Sequence, residues 1–122
     1  MNTPTTAYRL QLNKDFTFDN TAANLDYLAL LGIETLYAAP IMQAVAGSTH
    51  GYDGIDMHRI NPEIGHLDQL IGLKKQLSGK GMYWLQDIVP NHMAFAPSNA
   101  WLMDLLEHGP SSSYSDYFDT AW

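Results

Sequence analysis

The chain has 122 residues, enough for one ordinary domain, and its 46% apolar and 16% charged residues exclude a disordered, solvated polypeptide. Its formal net charge is −7 with only six Lys and Arg, which argues against nucleic acid or an anionic membrane surface as a partner and is compatible with a neutral ligand such as a sugar. There is no cysteine, so disulfides and thiolate metal sites are excluded and the cytoplasm is the default compartment.

The opening "MNTPTTAYRLQL" lacks the charged and apolar regions of a signal peptide, and no apolar run reaches the ~20 residues of a membrane span. Residues 7–12, "AYRLQL", alternate and predict a strand with Tyr8, Leu10 and Leu12 on one face. After a loop, Leu25, Leu28 and Ala29 recur at helical spacing, with Asp19, Asn20 and Thr21 as capping residues and Gly32 as the stop. Residues 33–40, "IETLYAAP", read as a second strand ended by proline. Roughly twenty-five residues without a regular period then separate Pro40 from Leu67, a length that in a compact domain points to function.

Leu67, Leu70, Ile71 and Leu77 mark the next helix, with Asp68 at its start and Lys74, Lys75 and Lys80 toward its end, matching the helix dipole. Residues 82–90, "MYWLQDIVP", have the near-continuous apolar content of a strand buried on both faces. Residues 98–110, "SNAWLMDLLEHGP", predict a helix with Trp101, Leu102, Leu105 and Leu106 inward and Gly109-Pro110 as the stop. The remaining "SSSYSDYFDTAW" is polar and aromatic without an assignable period. The order β-α-β-loop-α-β-α predicts an α/β fold with a parallel sheet and right-handed crossovers. Three strands with two crossover helices cannot cover both sheet faces, so the beginning of a larger α/β fold is expected.

In such folds ligand-facing residues follow the carboxyl ends of the strands, and the polar clusters obey that rule. In "DIVPNH" the Asp87 carboxylate can hold a cationic side chain from another strand, and the His92 imidazole can donate to a ligand hydroxyl. The plainer alternative has Asp87 satisfying backbone amides and His92 capping a turn. In "HGYDGID", Gly51 and Gly54 permit sharp turns around Tyr52 and Asp53. A tyrosine ring beside a carboxylate suits a sugar, one meeting its C–H face and the other its hydroxyls; the alternative is a turn with a packed Tyr and an Asx-type Asp. The five His show no HExxH spacing and have no thiolate partners, and no dinucleotide, P-loop or nucleophile-elbow motif occurs. Trp84 and Trp101 read as core residues.

"DIVPNH" resembles the first signature of the α-amylase superfamily (glycoside hydrolase family 13), and "HGYDGIDMHRINPEIG" resembles the stretch after that superfamily's second barrel strand. A more specific resemblance, over nearly the whole chain, is to the maltooligosyltrehalose synthase family. It rests on "AYRLQLNKDFTF", "YLALLGIETLYAAPIMQAVAGSTHGYD", "RINPEIG", "DIVPNHM" and "WLMDLLEHGPSSSYSDYFD". A departure lies at Gly54-Ile55, where that family more often shows Val-Thr or a similar pair, and at Met57.

The resemblance implies a (β/α)8 barrel of which residues 1–122 hold the first three β/α units as one partial domain. It implies that Tyr52 stacks on a glucose ring, that Asp53 binds that sugar's hydroxyls, and that His92 contacts its 6-hydroxyl. Asp87 would orient an arginine near the nucleophile. Asn91, a calcium ligand in many α-amylases, would support the site with no metal bound. The nucleophilic Asp, the acid–base Glu and the third catalytic Asp would follow later strands, beyond Trp122. No catalytic residue and no cofactor is therefore expected in this chain, and alone it should be inactive. The implied partner is a maltooligosaccharide, with self-association through an open sheet edge. Two further readings stand beside this one: a fragment of a hydrolytic α-amylase-family enzyme, and a free-standing, non-catalytic carbohydrate-binding α/β module.

Overall fold

The computed structural model describes residues 3–122. Strands β1 (Ala7–Leu10), β2 (Thr35–Ala38) and β5 (Tyr83–Gln86) form one parallel sheet in the order β1-β2-β5. Helices α1 (Phe18–Ala23) and α2 (Leu25–Leu30) connect the first pair, and α3 (Leu67–Gly79) leads into β5. The expected α/β class and parallel crossovers hold, and the sheet stays open.

Register sorts the side chains. Leu36 lies between Tyr8 and Trp84, and Ala38 between Leu10 and Gln86. This face packs on the helices, and Leu10, Leu36, Ala38, Phe18, Leu25, Leu28, Leu73, Leu77 and Met82 form the buried core, with Trp84 half-buried against it. Of the three residues expected on one face, Leu10 and Leu12 are buried and Tyr8 is 46% exposed. The opposite face carries the row Arg9, Tyr37, Leu85. Leu85 is exposed, so β5 is covered on one side only and not on both as its composition suggests.

The expected first helix is two short helices. Its N-cap is Thr17, one turn earlier than the sequence suggests: Asn20 N–H donates to Thr17 Oγ1 at 3.3 Å and Thr17 N–H to Asn20 Oδ1 at 2.9 Å. Asn24 separates the two helices and donates its side-chain amide back to the Asn20 carbonyl at 2.8 Å, a local bond that competes with continued helix. Gly32 ends α2 with φ +82°, as expected. In α3 the buried stripe is Leu73 and Leu77 with Leu70 beside it, while Leu67 and Ile71 lie off it and are exposed.

The stretch between Pro40 and Leu67 is not without structure. It holds an antiparallel hairpin of β3 (Met42–Ala44) and β4 (Gly54–Ile60). Its register slips between Met42 and Gln43 and again between Gln43 and Ala44. Two irregularities in three residues erase the alternation that would reveal a strand. Helix α4 (Ala100–His108) buries Leu102 and Leu105; Leu106, one position and about 100° further round, points to solvent and not inward. Trp101 is half-buried in an aromatic cluster, its ring stacked on Tyr114 at 5.4 Å and tilted against Tyr117 and His58 at 5.2 Å each. These contacts place the final segment, which forms two 3-10 turns, Gly109–Ser111 and Ser115–Tyr117.

The two sheet faces predict different responses to substitution. Leu36→Ala, at a fully buried position, should cost about 2–5 kcal/mol in urea unfolding. Leu85→Lys should change that stability by no more than about 0.5 kcal/mol while lowering self-association in sedimentation velocity, because it puts a charge on the uncovered face.

Candidate functional site

Arg9 and Tyr37 are lateral neighbours on adjacent strands, and the Arg9 guanidinium lies 4.4 Å from the centre of the Tyr37 ring. Asp87 follows β5 on the same parity as Leu85, and its N–H donates to the Ala38 carbonyl at 2.9 Å, extending the ladder one residue past the strand. Its side chain thereby reaches Arg9, whose Nη1 donates to Asp87 Oδ2 at 3.0 Å. Arg9 Nη2 donates to the Tyr52 hydroxyl at 2.7 Å, and that hydroxyl donates in turn to Asp87 Oδ2. One carboxylate, one guanidinium and one phenol thus close a ring of three mutual hydrogen bonds beyond the carboxyl ends of the strands.

Tyr52 comes from the hairpin tip. Val45 N–H donates to the Asp53 carbonyl at 3.1 Å and closes the tip. Gly51 has φ +78°, and a Cβ there would lie 2.7 Å from the Pro40 carbonyl oxygen, so only glycine fits. Gly54, by contrast, has ordinary backbone geometry and begins β4. His50 Nδ1 accepts the Tyr52 N–H at 3.0 Å, and the two rings stack at 6.0 Å. The Tyr52 ring remains 36% exposed.

The segment after β5 clamps this tip. His92 Nε2 donates to the Tyr52 carbonyl at 2.8 Å, and Ala94 N–H donates to the Gly54 carbonyl at 2.8 Å. His92 Nδ1 lies 3.0 Å from the Asn91 side-chain amide. Asn99, fully buried, caps α4 through Leu102 N–H and donates to the Ala94 carbonyl. Tyr52, Asp87, His92 and Asn91 are therefore brought together. Asp53 stays within its own turn, accepting from Ser48 Oγ at 2.5 Å, with His50 Nδ1 3.9 Å away.

A cavity of about 760 Å³ opens on the other side of the segment after β5, with Asp87, Asn91 and His92 on one wall and Met42, Met57 and Trp101 on another. Tyr52 and Asp53 lie outside it. Its walls are largely apolar. Among the described residues no group of three or more His, Asp or Glu converges to hold a metal ion, and no helix is long and apolar enough to cross a membrane.

Arg9 and Tyr37 are the residues that sequence reasoning passed over. The signal was present: a lone Arg in an otherwise apolar strand, in a chain with six Lys and Arg, needs a carboxylate within reach. Of the two readings of Asp87, holding a cation from another strand or satisfying backbone amides, the structure shows the first, with Arg9 of β1 as the cation.

The catalytic domain of the α-amylase family matches residues 17–122. The chain belongs to the α-amylase family. The more specific resemblance holds as well. The chain is 42% identical over 94% of its length to a putative maltooligosyl trehalose synthase of Mycobacterium tuberculosis. It is also similar to a solved structure described as "DSM5389 glycosyltrehalose synthase", with 50% identity over 93% of the chain and a TM-score of 0.89. Maltooligosyltrehalose synthase from Arthrobacter ramosus matches 98% of the chain at 39% identity with a TM-score of 0.93. The chain spans 16% of the length of each of these relatives. It therefore carries the opening β/α units of the barrel these enzymes share, unclosed.

Two measurements test the site. Gly51→Ala must adopt a strained φ and meet Pro40, and should cost about 1–3 kcal/mol in chemical unfolding while shifting the Tyr52 resonances. The second concerns pH. The bond donated by Tyr52, with those from Arg9, holds the Asp87 carboxyl below the ordinary carboxylate value, and the same bond to Asp87 raises the Tyr52 phenol. Below about pH 4 the unfolded chain binds the Asp87 proton first, so stability should rise with pH there; above about pH 10 the unfolded Tyr52 loses its proton first, so stability should fall. Urea midpoints measured across that range should show both slopes, and Asp87→Asn should flatten them.

Proposed function

We propose that the chain forms one wall of the pocket in which a trehalose-forming enzyme grips a maltooligosaccharide. The observation that carries this reading is the partly exposed Tyr52 ring, held through its hydroxyl by Arg9 and Asp87 beyond the strand ends. A ring fixed in this way offers its face to the C–H surface of a glucose unit. The high identity to maltooligosyltrehalose synthases along almost the whole chain supports the same substrate class.

The reaction is a retaining, intramolecular transglycosylation. A carboxylate nucleophile attacks the anomeric carbon of the penultimate glucose, forming a glycosyl ester and releasing the reducing-end glucose with a proton from a general acid. That glucose turns within the closed site. Its anomeric hydroxyl then attacks the anomeric carbon of the glycosyl ester, displacing the enzyme carboxylate, giving up its proton to the same acid–base group and producing an α,α-1,1 linkage. Water must be kept out, or hydrolysis takes over.

In this scheme Tyr52 holds the glucose at the reacting carbon and Asp53 binds its hydroxyls. His92 stands by its 6-hydroxyl, and Asp87 and Asn91 keep the wall in shape. The nucleophile and acid–base residue are supplied from outside these 122 residues. A hydrolytic function is the second reading, favoured by 37% identity over 80% of the chain to alpha-amylase 1 of Lipomyces kononenkoae.

Chromatography of maltopentaose incubated with the 122-residue chain should show neither a trehalose-ended product nor shorter sugars. Any trehalose-ended product would place the covalent chemistry within this chain, and shorter maltosaccharides would place hydrolysis there.

A further inference from the structure

The loop that carries Tyr52 is tied down through its backbone, by His92 at the Tyr52 carbonyl and by the ladder on either side. None of those bonds fixes where the ring points. The ring is fixed at its far end, where the hydroxyl donates to Asp87 and accepts from Arg9. Asp87 is anchored by the sheet ladder. Arg9 is anchored twice more, by its strand and by its stacking on Tyr37.

We propose that Arg9 is a positioning residue of the saccharide pocket: from the first strand, its forked guanidinium sets the angle of the Tyr52 ring and locks the Asp87 carboxylate to it. The proposal rests on the saccharide reading of Tyr52 given above. The fork is what the geometry uses, since Nη1 and Nη2 serve two different acceptors 3.0 and 2.7 Å away while Cζ lies over the Tyr37 ring. A lysine ammonium keeps the charge but has neither the fork nor the plane. Without Arg9 the phenol keeps its bond to Asp87, but it loses its second tie, and Asp87 loses the charge that compensates it. The contribution of Arg9 to sugar binding therefore runs through Tyr52 and not through any contact of its own.

The experiment uses the 122-residue chain with 13C-labelled tyrosine, compared with Arg9→Gln, Arg9→Lys, Tyr52→Phe and the Arg9→Gln/Tyr52→Phe pair. Urea unfolding reports the fold, the Tyr52 ring resonances report its setting, and a maltopentaose titration reports binding. We expect Arg9→Gln and Arg9→Lys both to move the Tyr52 resonances toward averaged values. Each should weaken maltopentaose binding about tenfold, the size expected for losing one hydrogen bond to a charged group. In the Tyr52→Phe background Arg9→Gln should cause no further loss. Tyr52 resonances unchanged in Arg9→Gln, or losses that add in the double variant, would overturn the proposal. Full restoration by Arg9→Lys would overturn the fork and reduce Arg9 to a charge. If the parent chain binds no maltopentaose the saccharide reading fails, and the ring resonances alone still decide whether Arg9 positions Tyr52. If Arg9→Gln does not fold, the Arg9→Lys comparison carries the same decision.

Discussion

A carboxylate at the end of β5 is the group on which the site depends. Asp87 keeps only 16% of its side chain exposed, and a charge so placed is costly unless donors converge on it. Arg9 and the Tyr52 phenol do, from distant parts of the chain, and the Tyr37 side chain adds to them. Parallel register explains the first. With Arg9 opposite Tyr37 and Tyr37 opposite Leu85, the next residue of that parity after β5 is Asp87. The half-exposed position of Arg9 means that its ion pair with Asp87 is screened, so the value of the network lies more in geometry than in stability.

The phenol arrives by a different route, and that route explains the hairpin. A tight crossover from β2 to α3 would leave nothing above Asp87. Instead the chain turns out at Pro40, pairs β3 with β4 and folds its tip back, with Gly51 pressed against the Pro40 carbonyl. The bulged register is part of this, since a regular ladder would continue straight away from the sheet. The segment after β5 then closes from the other side through His92 and Ala94. The two loops that follow β2 and β5 thus hold one another, the first supplying Tyr52 and the second Asp87 itself.

The parts that were legible in the sequence are those governed by local period. The three parallel strands, the stop at Gly32 and the class of fold follow from alternation, helical spacing and a glycine at positive φ. What was not legible depends on partners far away in the chain. The hairpin was hidden because its register shifts within three residues destroy alternation. The outward turn of Leu106 depends on what covers α4, which its own sequence does not state. The final polar–aromatic segment is placed by Trp101, and ring stacking leaves no periodic trace. At the site, Tyr52, Asp87, Asn91 and His92 could be singled out by residue type and motif. Arg9 was passed over: a lone cation in an apolar strand signals the need for a carboxylate, but which carboxylate is named only once the register is known.

The same network limits what each group can offer a sugar. The Tyr52 hydroxyl both donates to Asp87 and accepts from Arg9, so the side chain has a ring face to give and little hydrogen-bonding capacity left. His92 Nε2 is engaged by the Tyr52 carbonyl, and its Nδ1 faces Asn91. Any ligand hydroxyl that approached would have to share these groups or displace an existing bond. Asp53 differs: Ser48 occupies one oxygen, and the second carries no hydrogen bond among the described contacts. On the proposed reading, the groups left for a saccharide are therefore the Tyr52 ring face and the second Asp53 oxygen, on adjacent residues. That division follows from Asp87 having already claimed the phenol.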